Sequence, residues 1–500
     1  MNRVGRLWVG CCLFLVHITA VLPAQEGPPD KKPRASAAQD VPLINGDFAE
    51  WTGDTPQGWT VEIGAHNGAD APTSRVQRGE SPGLQLVGNA QTLAWRLVRQ
   101  TVALQPGQCY RLRFSARAVD VRREGQQYDN CYVGLFFKDA QGKSAGHQLA
   151  NISQAEWLPY TLYVRVPQAV AATNLMIFLS KSGMLEVREF ELTQLQAEDS
   201  FQILVDEMDR NYSHFEFKQL DWAAVVEKFR PRAEKAKSRD EFVSVLRAML
   251  GSLQDIHTWI AVDGQQLPTY RARPVPAPDF TLIDRDLQDR RTIGKWGVVG
   301  RTAEGWGYVR ITSLIEIDPP ELVSMLAAIE QLFDAPGMIV DLRANVGGAE
   351  SVGQQIASLF ADASYIYARQ RVRNGPAHSD FVETEPRRIG PRQGSIYSRP
   401  VACLVGPGAI SSAEGMALMM KSLPHCTLFG QPTRGASGNP APVVLPNGVD
   451  VYFSRWVSLE ADGTPIEGRG VAPDVVVESV RGRDAVWEQA KQWLAGDHER

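Results

Sequence analysis

The chain has 500 residues, more than the roughly 100–200 of a typical domain, so the length predicts two or three domains. Hydrophobic residues make up 44% and charged residues 22%, which excludes a chain that is mainly disordered, collagen-like or coiled-coil. The net charge of -5 provides no basic footprint for nucleic acid or an anionic membrane. We therefore expect a multidomain globular protein without a nucleic-acid partner.

The first 24 residues have the pattern of a cleaved secretory signal peptide. Two arginines form a basic start, a mostly apolar run extends from Leu7 to Val21, and cleavage is expected near Ala24. The run is shorter than the roughly 20 residues that a membrane-spanning helix needs. We expect export to a periplasmic or extracellular location and no membrane span after cleavage, with an uncleaved anchor as the alternative. The polar, Pro- and Ala-rich residues 25–41 predict a linker.

Cleavage would leave four cysteines in the mature chain: Cys109, Cys131, Cys403 and Cys426. In an exported protein these can oxidise, with Cys109–Cys131 and Cys403–Cys426 as the local pairings. Buried free thiols on strands are an equally good interpretation. No cysteine spacing resembles a zinc site, and we expect neither a metal nor another cofactor.

Residues 42–196 predict an antiparallel β-sandwich. Tyr110–Ala116 alternates apolar and polar residues with period two, as a half-buried strand does. Similar runs follow without intervening helices: Tyr132–Phe137, Tyr160–Val166, Leu175–Leu179 and Leu185–Leu192. The opening Asn45-Gly46-Asp47-Phe48, with two tryptophans nearby, resembles the start of carbohydrate-binding jelly-roll modules. That resemblance implies a jelly-roll-like fold and a glycan as a partner.

Residues 197–262 predict helices, and residues 263–485 predict alternating strands and helices. Helical spacing is found in three segments: Ser200–Tyr212, Trp222–Ala236 and Arg239–Leu253. Strands are expected at Gly307–Thr312, Met338–Arg343 and Val401–Val405, and helices at Pro320–Phe333, Glu350–Phe360 and Ser412–Ser422. This alternation is typical of an α/β layered domain. Residues 486–500 are expected to form a C-terminal helix or tail.

Two turns in the α/β part could bind a reacting group. Asp341–Gly348 follows a buried strand, and its paired glycines let backbone amides approach a ligand closely. Gly408–Glu414 joins a strand to a helix, so that Ser411 would present its hydroxyl at the end of the sheet with the Ser412 amide beside it. An ordinary tight turn and a Ser-x-x-Glu capping box are the structural alternatives.

A histidine supplies the third candidate. His257, in Leu253–Thr258, follows a predicted helix. Because the unperturbed pKa of histidine lies near 6.5, the side chain can act as a general base. A purely structural histidine is the alternative.

Five ordered motifs resemble the C-terminal-processing (tail-specific) and tricorn-core serine peptidases, in the branch that also contains interphotoreceptor retinoid-binding protein modules. They are LQDIHT, GMIVDLRANVGG, VACLVGPGAISSAEGMALMM, LFGQPTRGASG and IEGRGVAPDVVV, within residues 200–480. The resemblance implies a crotonase/ClpP-like layered α/β catalytic domain. It also implies a serine peptidase that hydrolyses proteins or peptides.

The motif matches assign roles to residues. The resemblance implies Ser411 as nucleophile, His257 as base and Glu467 as the acid that orients the base. It implies an oxyanion hole from backbone amides: Gly347 or Gly348, together with Ser412.

One departure from the family pattern bears on the mechanism. The processing-protease branch places a lysine after its GxxT motif, where this sequence has Ala436. Arg434 cannot replace that lysine as a base because arginine stays protonated. We therefore expect a Ser–His–Glu arrangement rather than a Ser–Lys dyad.

Two other functions compete with the peptidase hypothesis. A non-catalytic binding protein on the same scaffold would be expected to lack a member of the triad, and all three are present. A glycan-binding adhesion protein would need an exposed aromatic platform, with four candidates in the sandwich: Trp51, Trp59, Trp95 and Trp157.

Overall fold

The structure is a computed structural model. It describes residues 39–496 except 66–74, 80–81, 89–93, 122–130 and the single positions 153, 181, 276, 316, 376, 479 and 481. The predicted signal peptide and all but the last residues of the predicted linker lie outside the described residues. No helix in the described part of the chain is long and apolar enough to cross a membrane.

Thirteen strands form the N-terminal part of the described chain, as the alternating sequence pattern predicts. In chain order they are β1 (Gln39–Asp40), β2 (Trp51–Thr52), β3 (Thr55–Pro56), β4 (Thr60–Ala65), β5 (Arg75–Arg78), β6 (Leu84–Gly88), β7 (Ala94–Val102), β8 (Cys109–Val119), β9 (Cys131–Lys138), β10 (Ser144–Asn151), β11 (Leu158–Arg165), β12 (Ala172–Ser180) and β13 (Gly183–Gln194). All five strands expected from the sequence are present. Their ends differ from the expected ones by a few residues.

These strands form two larger antiparallel sheets that share one core. One sheet has the order β11-β8-β13-β6-β5 with β1 on β13, and the other has the order β10-β9-β12-β7-β4. Inward-facing apolar side chains from both sheets form one hydrophobic cluster, including Leu112 and Phe114 of β8, Val133 of β9 and Ile177 of β12. The finer jelly-roll assignment stays a prediction.

Three helices and a hairpin follow the sandwich: α1 (Ser200–Asn211), α2 (Trp222–Ala233), α3 (Arg239–Gly251), β14 (Trp259–Val262) and β15 (Gln265–Pro268). Asp221 caps α2 by accepting a hydrogen bond from the Ala224 amide at 3.0 Å. Ser238 caps α3 by accepting one from the Glu241 amide at 3.2 Å, as its Ser-x-x-Glu spacing predicts. The three helices match the expected segments but end one to three residues earlier.

The remaining elements alternate between helices and strands: α4 (Thr281–Asp286), β16 (Gln288–Ile293), β17 (Gly297–Arg301), β18 (Gly307–Ile311), α5 (Pro319–Glu330), β19 (Met338–Asp341), α6 (Glu350–Ala357), β20 (Tyr365–Arg373), β21 (Phe381–Glu383), β22 (Arg387–Ile389), β23 (Val401–Val405), α7 (Ser412–Lys421), β24 (Cys426–Gly430), β25 (Pro440–Val444), β26 (Val449–Ser454), β27 (Trp456–Glu460), β28 (Val475–Val476) and α8 (Ala485–Ala495). The central sheet has the order β16-β17-β18-β19-β23-β24-β28. Its strands run parallel from β18 to β28. This is the layered α/β arrangement that the sequence predicts; the crotonase/ClpP-like detail stays a prediction.

The carboxyl ends of neighbouring parallel strands bring the two predicted turns together. β19 leads into the turn with Gly347 and Gly348, and β23, its neighbour, leads into the turn with Ser411. Ligands of open α/β sheets bind at this end of the strands.

Two small sheets were not predicted from the sequence. One has the order β15-β14-β26-β25. The other has the order β21-β20-β22, and β27 also pairs with β20. β14 begins two residues after His257, and β27 ends shortly before Glu467. The predicted base and the predicted acid therefore lie in turns next to strands of these two sheets.

The β-sandwich contacts the catalytic part through β11 and the β25–β26 hairpin. Arg165 forms an ion pair with Asp450 at 2.9 Å and donates a hydrogen bond to the Leu445 carbonyl at 2.9 Å. Cys109 lies in the same hydrophobic cluster as helices α1 to α3. All four cysteines of the described residues are buried thiols, which is the second of the two interpretations given by the sequence.

Candidate active site

Ser411 lies at a strained corner between β23 and α7. Its backbone has φ 62° and ψ -128°, a conformation that non-glycine residues rarely adopt. Its amide donates to the Ala436 carbonyl at 2.9 Å. A serine held on such a strand-to-helix turn presents its hydroxyl at the end of the sheet, as nucleophilic serines on comparable turns do.

The glycine pair packs directly against this corner. Gly347 has φ 79°, and a Cβ placed there would lie 2.8 Å from Ser411 Cβ and 3.0 Å from the Ser412 nitrogen. A Cβ on Gly348 would overlap the Leu314 backbone. Both positions therefore require glycine for backbone approach as well as for their positive φ.

The amides of this loop differ in what they bind. The Gly347 amide donates to Asn345 Oδ1 at 2.9 Å, whereas Gly348 is exposed and Ser412 Oγ donates to its carbonyl at 2.6 Å. The Ser412 amide is at the first position of α7, where a helix amide has no acceptor within its own helix. Of the three residues predicted for the oxyanion hole, Gly347 thus has its amide occupied by the Asn345 side chain.

Glu467 belongs to a turn that packs on the loop behind Ser411. The Gly468 amide donates to the Gly435 carbonyl at 2.7 Å, next to Ala436. A Cβ on Gly470 would overlap the Thr433 carbonyl, so glycine permits this backbone contact. The Glu467 turn therefore binds the loop at Gly435, and the Ser411 amide binds the same loop at the next residue, Ala436.

His257 lies in a buried turn between α3 and β14. Its amide donates to Asp255 Oδ1 at 2.8 Å, and Asp255 Oδ2 accepts from Ser454 Oγ at 2.8 Å. His257 Nδ1 is buried and has no hydrogen-bond partner among the described residues. Burial lowers the pKa of His257, although the carboxylates of Asp255 and Glu467 oppose the shift. The ring is therefore neutral near pH 7, the form that a general base needs.

Two models of known protein families match stretches of the chain that contain or adjoin these residues. Residues 305–477 match the model described as peptidase family S41, and residues 194–251 match the one described as Tricorn protease C1 domain. Two stretches of the chain are therefore similar to domains of serine-type peptidases, one of them to family S41. The S41 match includes Ser411, Glu467 and the glycine pair, while His257 lies between the two matched stretches.

Individual relatives agree with this family. The chain is 29% identical over 174 residues to carboxy-terminal processing protease CtpA of Bacillus subtilis, covering 34% of this chain and 35% of that protein. It is 27% identical over 178 residues to the carboxyl-terminal-processing protease of Synechocystis, covering 36% and 39%. The alignments thus span little more than a third of these curated relatives. A solved structure of a candidate peptidase from Parabacteroides merdae is 27% identical with a TM-score of 0.53, covering 60% of this chain and 98% of that one.

The candidate site also contains a buried charge cluster that the sequence analysis missed. His214 Nδ1 lies 3.6 Å from Asp255 Oδ2 and 3.7 Å from Glu467 Oε1, and Lys218 Nζ lies 3.7 Å from the same Glu467 oxygen. His214 follows α1 in a stretch without a motif, so no sequence signal distinguished it. Asp255 lies inside the LQDIHT motif, but the family resemblance assigns it no role.

The same three side chains, His214, Asp255 and Glu467, lie close enough to surround a cation, within 4.8 Å of one another. Lys218 already brings a positive charge to this pocket. A buried divalent ion beside it would leave positive charge uncompensated. We therefore do not identify a metal site here.

Glu414 organises the loop behind Ser411. Its carboxylate accepts from Thr433 Oγ1 at 2.6 Å, from the Gly435 amide at 2.6 Å and from the Ala436 amide at 2.8 Å. It also accepts from the Ser411 amide at 3.3 Å, as in the capping box that the sequence suggested. Burial raises the pKa of Glu414 to about 7 despite these donors.

Proposed function

We propose that this protein hydrolyses peptide bonds of proteins or peptides with Ser411 as nucleophile, His257 as general base and Glu467 as the acid that orients the base. One observation carries the proposal. Glu467 Oε2 and His257 Nδ1 are both buried without a hydrogen-bond partner among the described residues, and their side chains interact electrostatically. A buried acceptor and a buried potential donor are costly unless paired, so a contact between these two atoms would satisfy both.

The chemistry follows from this arrangement. His257 would hold its Nδ1 proton toward Glu467 and take the Ser411 hydroxyl proton on Nε2 as Oγ attacks the substrate carbonyl carbon. The imidazolium would then protonate the leaving amine as the C–N bond breaks, giving an acyl-enzyme. Water, deprotonated by the same base, would hydrolyse the ester and restore Ser411.

Backbone amides would stabilise the charge that develops on the carbonyl oxygen. The amides of Gly348 and Ser412 are the proposed donors: Ser412 follows Ser411 at the start of α7, and its hydroxyl donates to the Gly348 carbonyl. The positive end of the α7 dipole would add to their effect. Such a donor contributes about 3–4 kcal/mol to transition-state stabilisation.

The proposal is tested with a fluorophosphonate probe, which reacts with activated serines and requires no knowledge of the substrate. We expect one label per chain in the wild type, mapped to Ser411 by peptide mass spectrometry, and none in Ser411→Ala. Ser422→Ala is a matched control because Ser422 also flanks α7, and its hydroxyl donates to the Met419 carbonyl at 2.7 Å. Absence of labelling in the wild type would favour the non-catalytic binding protein, and labelling that survives Ser411→Ala would refute the assignment.

A second function is favoured for the β-sandwich: we infer that it binds a glycan. Half-buried aromatic side chains form a row on the outer face of the sheet containing β7, β9 and β12. Phe178 stacks on Tyr132 with ring centroids 4.8 Å apart and on Trp95 at 6.4 Å. A Cβ on Gly64 would overlap the Trp95 indole, so this ring lies flat over β4.

The row continues across the sheet through Phe136, 5.5 Å from Tyr132, to the exposed His147, 5.3 Å from Phe136. Flat ring faces suit the apolar faces of sugar rings. Thr101, Asn174, Arg99 and Glu62 supply hydrogen-bonding groups on neighbouring positions of the same face. Of the four tryptophans considered from the sequence, Trp59 lies in the core, and Trp95 belongs to this row.

This second function is tested by retention of the full chain on insoluble polysaccharides. We expect Trp95→Ala with Phe178→Ala to lose binding while Ser411 labelling is retained. Trp157→Ala is the control, because this half-buried indole packs under Arg188 beside the other sheet. Retention unaffected by the double substitution, or no retention on any polysaccharide, would remove the glycan from the proposal.

A further inference from the structure

His214 is wholly buried between the end of α1 and the Glu467 turn, next to the proposed triad. Its ring contacts Tyr212 edge-on at 5.6 Å. Besides Tyr212, four titratable side chains interact with the His214 ring or its charge: Asp255, Glu467, Lys218 and His257. Because a wholly buried imidazole must satisfy both ring nitrogens, the partners of each nitrogen determine its protonation.

The partners of the two nitrogens indicate a doubly protonated ring. Nε2 lies 3.2 Å from the Trp456 carbonyl oxygen, which can only accept, so Nε2 carries a proton. Nδ1 faces oxygens of Asp255 and Glu467 at 3.6 and 3.7 Å. A bare Nδ1 would direct its lone pair at two carboxylates, whereas a protonated Nδ1 is attracted by both.

Charge balance supports the same state. The two carboxylates are compensated by the Lys218 ammonium and an imidazolium at His214, so the buried cluster is neutral overall. Lys218 is itself held by the Leu253 and Gln254 carbonyls, at 3.4 and 3.0 Å. Although burial alone would lower the pKa of His214, the Glu467 and Asp255 carboxylates raise it above its ordinary value.

We propose that His214, as an imidazolium, is a positioning residue that holds Glu467 through Oε1, leaves Oε2 directed to His257, and keeps His257 neutral. The proposal rests on the proposed function and deepens it. As a positioning residue, His214 would act through Glu467 and through its charge rather than directly on Ser411. The positive charges of His214 and Lys218 both oppose protonation of His257, which balances the effect of the two carboxylates.

The experiment measures the rate of fluorophosphonate inactivation against pH. In His214→Asn we expect the rate at neutral pH to fall about tenfold to a hundredfold, the size of effect known for residues that orient metal-binding histidines. Removing the positive charge also raises the pKa of His257, so the acid limb of the profile should move to higher pH. His378→Asn is the matched control, since His378 also pairs with a carboxylate, Asp209 at 2.9 Å, and neither residue belongs to this cluster.

His214→Gln distinguishes positioning by charge from simple support of the fold. Glutamine can donate to the Trp456 carbonyl but carries no charge, so we expect it to restore neither the rate nor the acid limb. Wild-type behaviour of a folded His214→Gln would overturn the proposal, as would an unmoved acid limb in His214→Asn. Loss of activity on chelation would also overturn it, because the cluster would then hold a metal ion.

A measurement on the wild type tests the protonation state of His214 even if the His214 variants fail to fold. Ring ¹⁵N spectra should show a buried histidine protonated on both nitrogens above pH 7, beyond the ordinary pKa of about 6.5. Spectra in which every buried histidine is neutral there would overturn the proposal. Labelling that persists in Ser411→Ala would instead refute the proposed function, so the two failures are separable.

Discussion

The two sides of the candidate site are built from different interactions. The serine side consists of residues held by backbone contacts: Gly347, Gly348, Ser411, Ser412 and Ala436. The histidine side consists of buried ionisable side chains: His214, Lys218, Asp255, His257 and Glu467. The first side depends on close approach of main chains, and the second depends on charge compensation. Substitutions should therefore act by steric overlap on the serine side and by altered protonation on the histidine side.

The largest effect is expected on the histidine side, from Glu467→Gln. The substitution keeps the shape but removes the charge, and an amide nitrogen facing His257 Nδ1 would favour the wrong tautomer. We expect fluorophosphonate inactivation to slow on the order of 10⁴-fold, as for the corresponding change in other serine triads.

Glu460→Gln is the matched control for this substitution, because Glu460 also pairs with a lysine, Lys421 at 2.9 Å. It should react as the wild type does. A Glu467→Gln protein that remains fully reactive would show that the base is oriented by another group.

On the serine side, Gly347→Ala should act through overlap. The new Cβ would lie 2.6 Å from the Ile410 carbonyl oxygen and 2.8 Å from Ser411 Cβ, so Ser411 or the glycine loop must shift. Displacing oxyanion donors typically costs about 10²–10³ in rate, and we expect a loss of that size with an unchanged acid limb.

Gly463→Ala separates overlap from backbone strain. Gly463 has φ 91°, close to the 79° of Gly347, and a Cβ there has nothing within 4 Å. We expect a small loss of stability and normal labelling. Equal effects of the two substitutions on labelling would mean that positive φ, rather than contact with Ser411, limits this position.

The same contrast explains how much of the site the sequence could predict. Ser411 and the glycine pair follow strands in short local motifs, and parallel pairing of β19 with β23 brings such turns together. The role of His214 could not be predicted, because its neighbours Asp255 and Glu467 are far from it in the chain. Their convergence depends on the small sheets around β14 and β27, whose short strands lack a distinctive pattern.

Helix boundaries show a similar limit. The predicted α2 continued to Ala236, whereas the structure ends the helix at Ala233. The apolar spacing that predicts a helix identifies its buried face, here Trp222, Val226 and Phe229, but not the residue at which the last turn unwinds.

The smallest effect is expected where the two sides meet, at Glu414. Its two oxygens accept from the loop that joins Ser411 to the Glu467 turn. In Glu414→Gln one oxygen becomes an NH₂ group facing buried donors, which should cost about 1–3 kcal/mol in the free energy of unfolding. Urea denaturation measures this, with Glu227→Gln on the exposed face of α2 as the control.

The pH dependence of the free energy of unfolding tests whether burial raises the pKa of Glu414. Because burial raises the pKa of Glu414 to about 7, the folded protein binds more protons than the unfolded chain between about pH 4.5 and 7. The contribution of this group is full below that window and is lost as the pH rises through it. The Gln variant should lack this part of the slope. An identical slope in both proteins would mean that Glu414 is already ionised at acidic pH, with its four hydrogen-bond donors outweighing burial.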